Sequence, residues 1–124
     1  MFIKMSSELF EKTSIDTGVS RFRAAEGAVL LDVRTPEEYR NGHISGSLNI
    51  PLDDIRNILS IISDRDTLLF VHCRSGMRSG KAVAALKKLG YKNALNIGGI
   101  LDYHGALEKD LTFPQYNTVK QILK

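Results

Sequence analysis

The sequence predicts a single α/β domain: a mostly parallel β-sheet of about five strands with helices on both faces. Three observations carry this expectation. Short β-branched or leucine-rich runs alternate with stretches of helical periodicity. The strand candidates are apolar almost throughout, as strands covered on both faces are, instead of alternating with polar residues. The stretches between them are long enough for the crossovers that join parallel strands. At 124 residues the chain has the length of one domain, 1–124, and can bury about two-thirds of its unfolded surface.

Taken in order, DTGVSRFRAAEG (16–27) predicts a helix with Phe22 and the alanines inward. AVLLDV (28–33) reads as a buried strand, apolar until Asp32. TPEEYRNGH then opens a helix: Thr35 is placed to N-cap, Pro36 falls at the first helical position, Glu38 completes a capping box, and Gly42 ends it. SLNI (47–50) is a short strand stopped by Pro51, and LDDIRNILSII places Leu52, Ile55, Leu59 and Ile62 at helical spacing. TLLFVH (67–72) is the next strand. After a glycine- and arginine-rich loop, Ala82, Ala85, Leu86 and Leu89 form a helical stripe that Gly90 can terminate. NALNI (93–97) is a last strand and GGILDYHGALEK (98–109) a last helix. The residues from 108 onward form a tail without a clear signal.

Composition narrows the function classes. A net charge of +3, from 17 basic and 14 acidic residues, is mild and forms no stripe interleaved with aromatics, which argues against nucleic acid. No apolar run approaches the roughly 18 residues of a membrane span, and MFIKMSSELFEK lacks the apolar core of a signal peptide. The single cysteine, Cys73, allows no internal disulfide and leaves too few soft ligands for a structural zinc site. A cytoplasmic protein without metal or cofactor is expected.

Cys73 stands where a strand becomes a helix, in VHCRSGMRSG (71–80). Ligands of parallel α/β folds bind beyond the carboxyl ends of the strands. The N–H groups of Arg74, Ser75, Gly76, Met77, Arg78 and Ser79 precede a helix, so several can converge on an anion, with the helix adding about half a positive charge. Arg74 and Arg78 add two permanent cations. All of this favours the thiolate over the thiol. The competing view, a cysteine buried for packing, does not account for the loop around it. GMRSGKA (76–82) looks like a phosphate-binding P-loop, but its glycine spacing is one residue short and Ala82 replaces the magnesium-binding hydroxyl.

These residues resemble the rhodanese-like sulfurtransferases. LLDVRTPEEYRNGHISGSLNIPL is similar to that family's first signature, VHCRSGMRS to its active-site loop and GGILDY to its third signature, with Tyr103 in place of the usual tryptophan. The resemblance runs from about 16 to 107, with departures at Ser47 and in the tail. It implies a three-layer fold and a nucleophile, Cys73, that takes a sulfane sulfur from a donor such as thiosulfate. Cys73 would hold it as a persulfide within the amide cradle of residues 74–79, then pass it to cyanide or a thiol. Arg74, beside the thiol, is the candidate to meet an anionic donor. Arg78 can face the anion or fold back onto Asp32, and the resemblance favours the second. Arg34 is expected to pair with Glu38 or Glu37. His43 should hold its turn, His72 should point away from Cys73, His104 should lie on the surface, and Tyr103 should belong to the core more than to the site.

Three alternatives stand beside this. Cysteine phosphatases and arsenate reductases also use a Cys-to-Arg loop, but with five intervening residues where four separate Cys73 from Arg78. That smaller ring suits one sulfur atom better than a phosphoryl group, and no acid is placed to protonate a leaving alcohol. Non-enzymatic modules of the family typically lack the cysteine. A persulfide carrier in a protein-to-protein relay uses the same chemistry at Cys73 and stays open.

Overall fold

The computed structural model describes residues 13–109. Four strands, β1 (Val29–Asp32), β2 (Leu48–Asn49), β3 (Leu69–Cys73) and β4 (Ala94–Gly99), form one sheet in the order β2-β1-β3-β4. Every neighbouring pair is parallel. The helices are α1 (Ile15–Ala24), α2 (Pro36–Arg40), α3 (Ile58–Ile61) and α4 (Met77–Lys88), with 3₁₀ segments at Leu52–Asn57 and Ile100–Asp102. The fold class is the one expected, with four strands among the described residues. The tail from 110 and the N-terminal segment to 12 lie outside them.

The sheet separates two apolar layers, which is why its central strands read as unbroken apolar runs. On one face Leu31, Val33, Leu69, Val71 and Cys73 pack with Ile55, Ile58, Ala82 and Leu86. On the other, Leu30, Phe70 and Ile97 pack with Ile15, Val19 and Ile44. Complete burial of each such leucine or isoleucine contributes about 1.5–3 kcal/mol before entropy is counted. Strand alternation therefore assigns Cys73 to the α4 face and Phe70 to the α1 face.

Local structure follows the sequence closely at α2. Thr35 and Glu38 form the expected capping box, with Thr35 Oγ1 accepting from the Glu38 N–H and Glu38 Oε1 accepting from the Thr35 N–H. Three expectations need correction. Helix α1 begins one residue earlier than expected, and it buries Ile15, Gly18 and Val19, while Ala24 is exposed and Phe22 half-buried. The segment 52–62 is not one helix. A 3₁₀ stretch with a non-helical Asp54 precedes the single turn α3, and Ile58 joins Ile55 as the buried anchor.

The third correction concerns 98–109: its first two residues extend β4, and the rest is a 3₁₀ turn and then irregular chain. Its backbone groups are engaged elsewhere. Leu101 N–H donates to the Arg74 carbonyl, His104 N–H donates to Asp16 Oδ1, and Glu108 forms an antiparallel bridge with His43. A helix through these residues would forfeit those bonds. No helix among the described residues is long and apolar enough to cross a membrane.

Candidate active site

Strand β3 ends at Cys73 and α4 begins at Met77, so three residues make the whole turn. Gly76, the N-cap of α4, has φ +104°, a conformation that a side chain disfavours. The turn lies directly on β4. A Cβ at Gly99 would sit 2.1 Å from the Arg74 carbonyl oxygen, so only glycine allows the loop backbone this approach.

The fold of the turn brings its donors onto the sulfur. Gly76 N–H donates to Cys73 Sγ at 3.0 Å, and Ser79 Oγ lies 3.4 Å from it. Cys73 is completely buried. Burial pushes the thiol up and is the largest single effect. The Ser79 hydroxyl and the amides of Ser79, Gly76 and Ser75 together outweigh it and hold the thiol below its ordinary value. Of the six amides expected to form a cradle, those of Ser75, Gly76 and Ser79 act on Sγ. The Arg74 side chain is exposed beside the loop, and Met77 is 73% exposed at its rim.

The two arginines have exchanged the partners expected for them. Arg34 pairs with Asp32: Nε donates to Oδ1 at 3.0 Å and Nη2 to Oδ2 at 2.7 Å, with the Arg34 N–H also on Oδ1. Arg78 pairs instead with Glu38, Nη1 to Oε1 at 2.7 Å and Nη2 to Oε2 at 2.9 Å. The reason is directional. Asp32 faces the layer opposite Cys73, with Oδ2 3.7 Å from His72 Nε2, whereas Arg78 lies in the first turn of the helix that covers the Cys73 face. Arg34 lies in the bend just after β1, where its N–H also reaches Asp32 Oδ1, so the short spacing of the two residues contained this pairing.

Arg78 thereby ties the loop to the capping box of α2. The Arg78 guanidinium, with smaller help from Thr35, holds Glu38 well below the usual carboxylate range, at about 2. His72 points away from the thiol, is buried, and is pushed down by that burial. His43 stacks on Tyr39 with ring centroids 4.0 Å apart, its Nδ1 2.9 Å from the Tyr39 carbonyl. Tyr103 packs half-buried against the α1 layer, and His104 pairs with Asp16 on the surface.

One residue of the site escaped the sequence analysis. Asn96 stands on β4 opposite Val71 and shares the Cys73 face. Ser79 Oγ is 2.7 Å from its Oδ1, which also accepts the Gly98 N–H, while its Nδ2 donates to the Gly76 carbonyl. The signal was a lone polar residue within an apolar strand. Among the described residues, no three His, Cys, Asp or Glu side chains cluster as metal ligands would.

A family model described as a rhodanese-like domain matches residues 18–106. The chain belongs to the rhodanese-like domain family. It is 37% identical over 73 residues to the thiosulfate sulfurtransferase PspE of Escherichia coli K12, covering 58% of this chain and 70% of that protein. It is 32% identical over 96 residues to the putative sulfur carrier protein YrkF of Bacillus subtilis 168, covering 77% of this chain and about half, 51%, of that protein. A solved structure described as a rhodanese with anions from E. coli superposes with a TM-score of 0.62 at 33% identity, over 67% of this chain and 99% of that one.

Proposed function

We propose that this protein is a sulfurtransferase that carries a sulfane sulfur on Cys73 as a persulfide, with thiosulfate as donor and cyanide or a thiol as acceptor. The observation that carries this reading is the buried sulfur with the Gly76 N–H at 3.0 Å and the Ser79 hydroxyl at 3.4 Å. Such a ring of donors favours an anionic sulfur before and after loading.

In the first half-reaction the Cys73 thiolate attacks the outer sulfur of thiosulfate. An S–S bond forms to Cys73, the S–S bond of thiosulfate breaks, and its electron pair leaves on sulfite. In the second, cyanide or a thiolate attacks the outer persulfide sulfur. Thiocyanate or a new persulfide departs, and the thiolate returns. No external oxidant or reductant enters. The cycle is ping-pong. Arg74, exposed beside the loop, meets the dianionic donor. Arg78 holds the loop through Glu38, and the Arg34–Asp32 pair holds the end of β1. We place the activity on one domain, working where thiols are abundant, as in a cytoplasm.

A second reading shares the chemistry and differs in the acceptor. Similarity to a protein named as a putative sulfur carrier supports a relay in which a partner's cysteine removes the sulfur. Turnover with thiosulfate, measured with cyanide, with low-molecular-weight thiols and with a thiol-bearing carrier protein, tests both. Thiocyanate formation, or persulfide formation on the thiol acceptor, that disappears in Cys73→Ser is expected. Activity surviving in that variant contradicts both readings.

A further inference from the structure

The Ser79 hydroxyl has one proton and four neighbours. Asn96 Oδ1 is at 2.7 Å, the Gly76 carbonyl at 3.1 Å, the Gly98 carbonyl at 3.4 Å and Cys73 Sγ at 3.4 Å. Three of the four are oxygen acceptors. The hydroxyl sits beside the reacting atom, yet nothing in the loop itself makes it turn toward sulfur. Its resting place is set from outside the loop, by Asn96 on β4.

The orientation of Asn96 is itself determined. Gly98 N–H is a donor and must meet Oδ1, at 3.0 Å, while the Gly76 carbonyl is an acceptor and must meet Nδ2, at 3.2 Å. A flipped amide would lose both bonds. Asn96 thus does two things at once. Its Nδ2 and the Gly80 N–H, at 3.2 and 3.1 Å, together fill the two acceptor positions of the Gly76 carbonyl, the acceptor three residues back that a serine in a first helical turn otherwise uses. Its Oδ1 holds the Ser79 hydroxyl at the position that also touches Sγ.

We propose that Asn96 is a positioning residue for the nucleophile: it seats the Ser79 hydroxyl so that one rotation of a single O–H bond serves both protonation states of the sulfur. With Cys73 as the thiol, the Ser79 proton rests on Asn96 Oδ1 and the hydroxyl oxygen accepts the S–H. When the thiol proton leaves to solvent, or the sulfur is loaded as a persulfide anion, the sulfur only accepts. The Ser79 proton then turns to it. Asn96 Oδ1 is not orphaned by this, because the Gly98 N–H remains. The hydroxyl needs no rotamer change and the loop no movement. This rests on an anionic sulfur at Cys73 and deepens the proposed function. Its readout is separate from sulfur transfer.

The test uses the full chain, whose single cysteine makes thiol alkylation unambiguous. The rate of iodoacetamide alkylation of Cys73 is measured against pH in the unaltered protein, Asn96→Leu, Ser79→Ala and the double variant, with thermal melting recorded for each. Leucine matches asparagine in size; Asn96→Ala gives the same comparison where leucine does not pack. Ser79→Ala should raise the apparent thiol pKa. Asn96→Leu should raise it in the same direction, with about tenfold less thiolate at a given pH below the transition for each unit. In the Ser79→Ala background, Asn96→Leu should add little further shift. A pKa unchanged or lowered by Asn96→Leu, or a rise that persists undiminished without Ser79, overturns the proposal. If sulfur transfer proves absent but the coupling holds, the proposed function falls and the positioning role stands.

Discussion

The exchanged arginine partners make a stability prediction that separates two substitutions of similar appearance. Asp32 is fully buried, and the Arg34 guanidinium pairs with its carboxylate at 2.7 Å. Arg34→Ala leaves it with the backbone N–H at position 34 and a histidine 3.7 Å away. Removing one member of a buried pair typically costs about 3–5 kcal/mol. The Arg78–Glu38 pair is bidentate but about a third exposed on each side, so solvent screens it, and its loss should cost about 1 kcal/mol. For a domain of this size each kcal/mol moves the melting temperature by about 3–5 °C. Arg34→Ala should therefore melt about 10–20 °C lower than the unaltered protein, and Arg78→Ala within about 5 °C of it. Differential scanning calorimetry at pH 7 reads both directly, with urea titration as a check on cooperativity. The double variant Asp32→Asn/Arg34→Met removes the buried charge while keeping the bond to the backbone, and should recover part of the loss. Equal melting points for the two single variants, or a greater loss for Arg78→Ala, would refute the assignment.

Other expectations follow from the site. Arg74→Ala should raise KM for thiosulfate severalfold while changing turnover with an uncharged persulfide donor little, because only the electrostatic attraction is lost; steady-state kinetics with both donors decide it. Acid should destabilise the protein in two stages. His72 has a folded pKa below its unfolded value near 6.5, so the unfolded state takes up the proton first and stability falls as pH drops below about 6.5, a stage absent in His72→Gln. Glu38 is depressed to about 2 from an ordinary 4.5, so its contribution, complete above 4.5, is lost between 4.5 and 2, a stage absent in Glu38→Gln; urea unfolding at a series of pH values separates them. Inserting one glycine between Gly76 and Met77 should abolish the close Gly76 N–H contact and raise the Cys73 thiol pKa, measured by alkylation.

How much of this was legible before the fold depends on where each signal lies. The strands, the capping box of Thr35 and Glu38, the glycine that ends α4 and the loop around Cys73 are encoded by residues close together in the chain. Pairings across elements are not. Glu38 shows itself as a capping residue but not as the anchor of Arg78, forty residues away, because that depends on which face α4 covers. Asp32 and Arg34 were readable, since they lie only two apart at the end of β1, but charge alone favoured a helical partner for Arg34. Asn96 shows locally only as a lone polar residue in an apolar strand, and its role arises where β4, the loop and α4 converge. The segment 98–109 carries a helical pattern, yet long-range bonds to Arg74, Asp16 and His43 win over it.

The persulfide on Cys73 is the step on which the account depends, and the chain's lack of a second cysteine makes it directly observable. With no internal thiol to discharge it, the loaded form should last until an external acceptor arrives. Protein treated with thiosulfate, desalted and measured by intact mass should be heavier by one sulfur atom, located on the peptide that contains Cys73. Cyanide or a thiol should then return it to its original mass. An adduct that never forms, or that decays as fast without an acceptor as with one, contradicts the account.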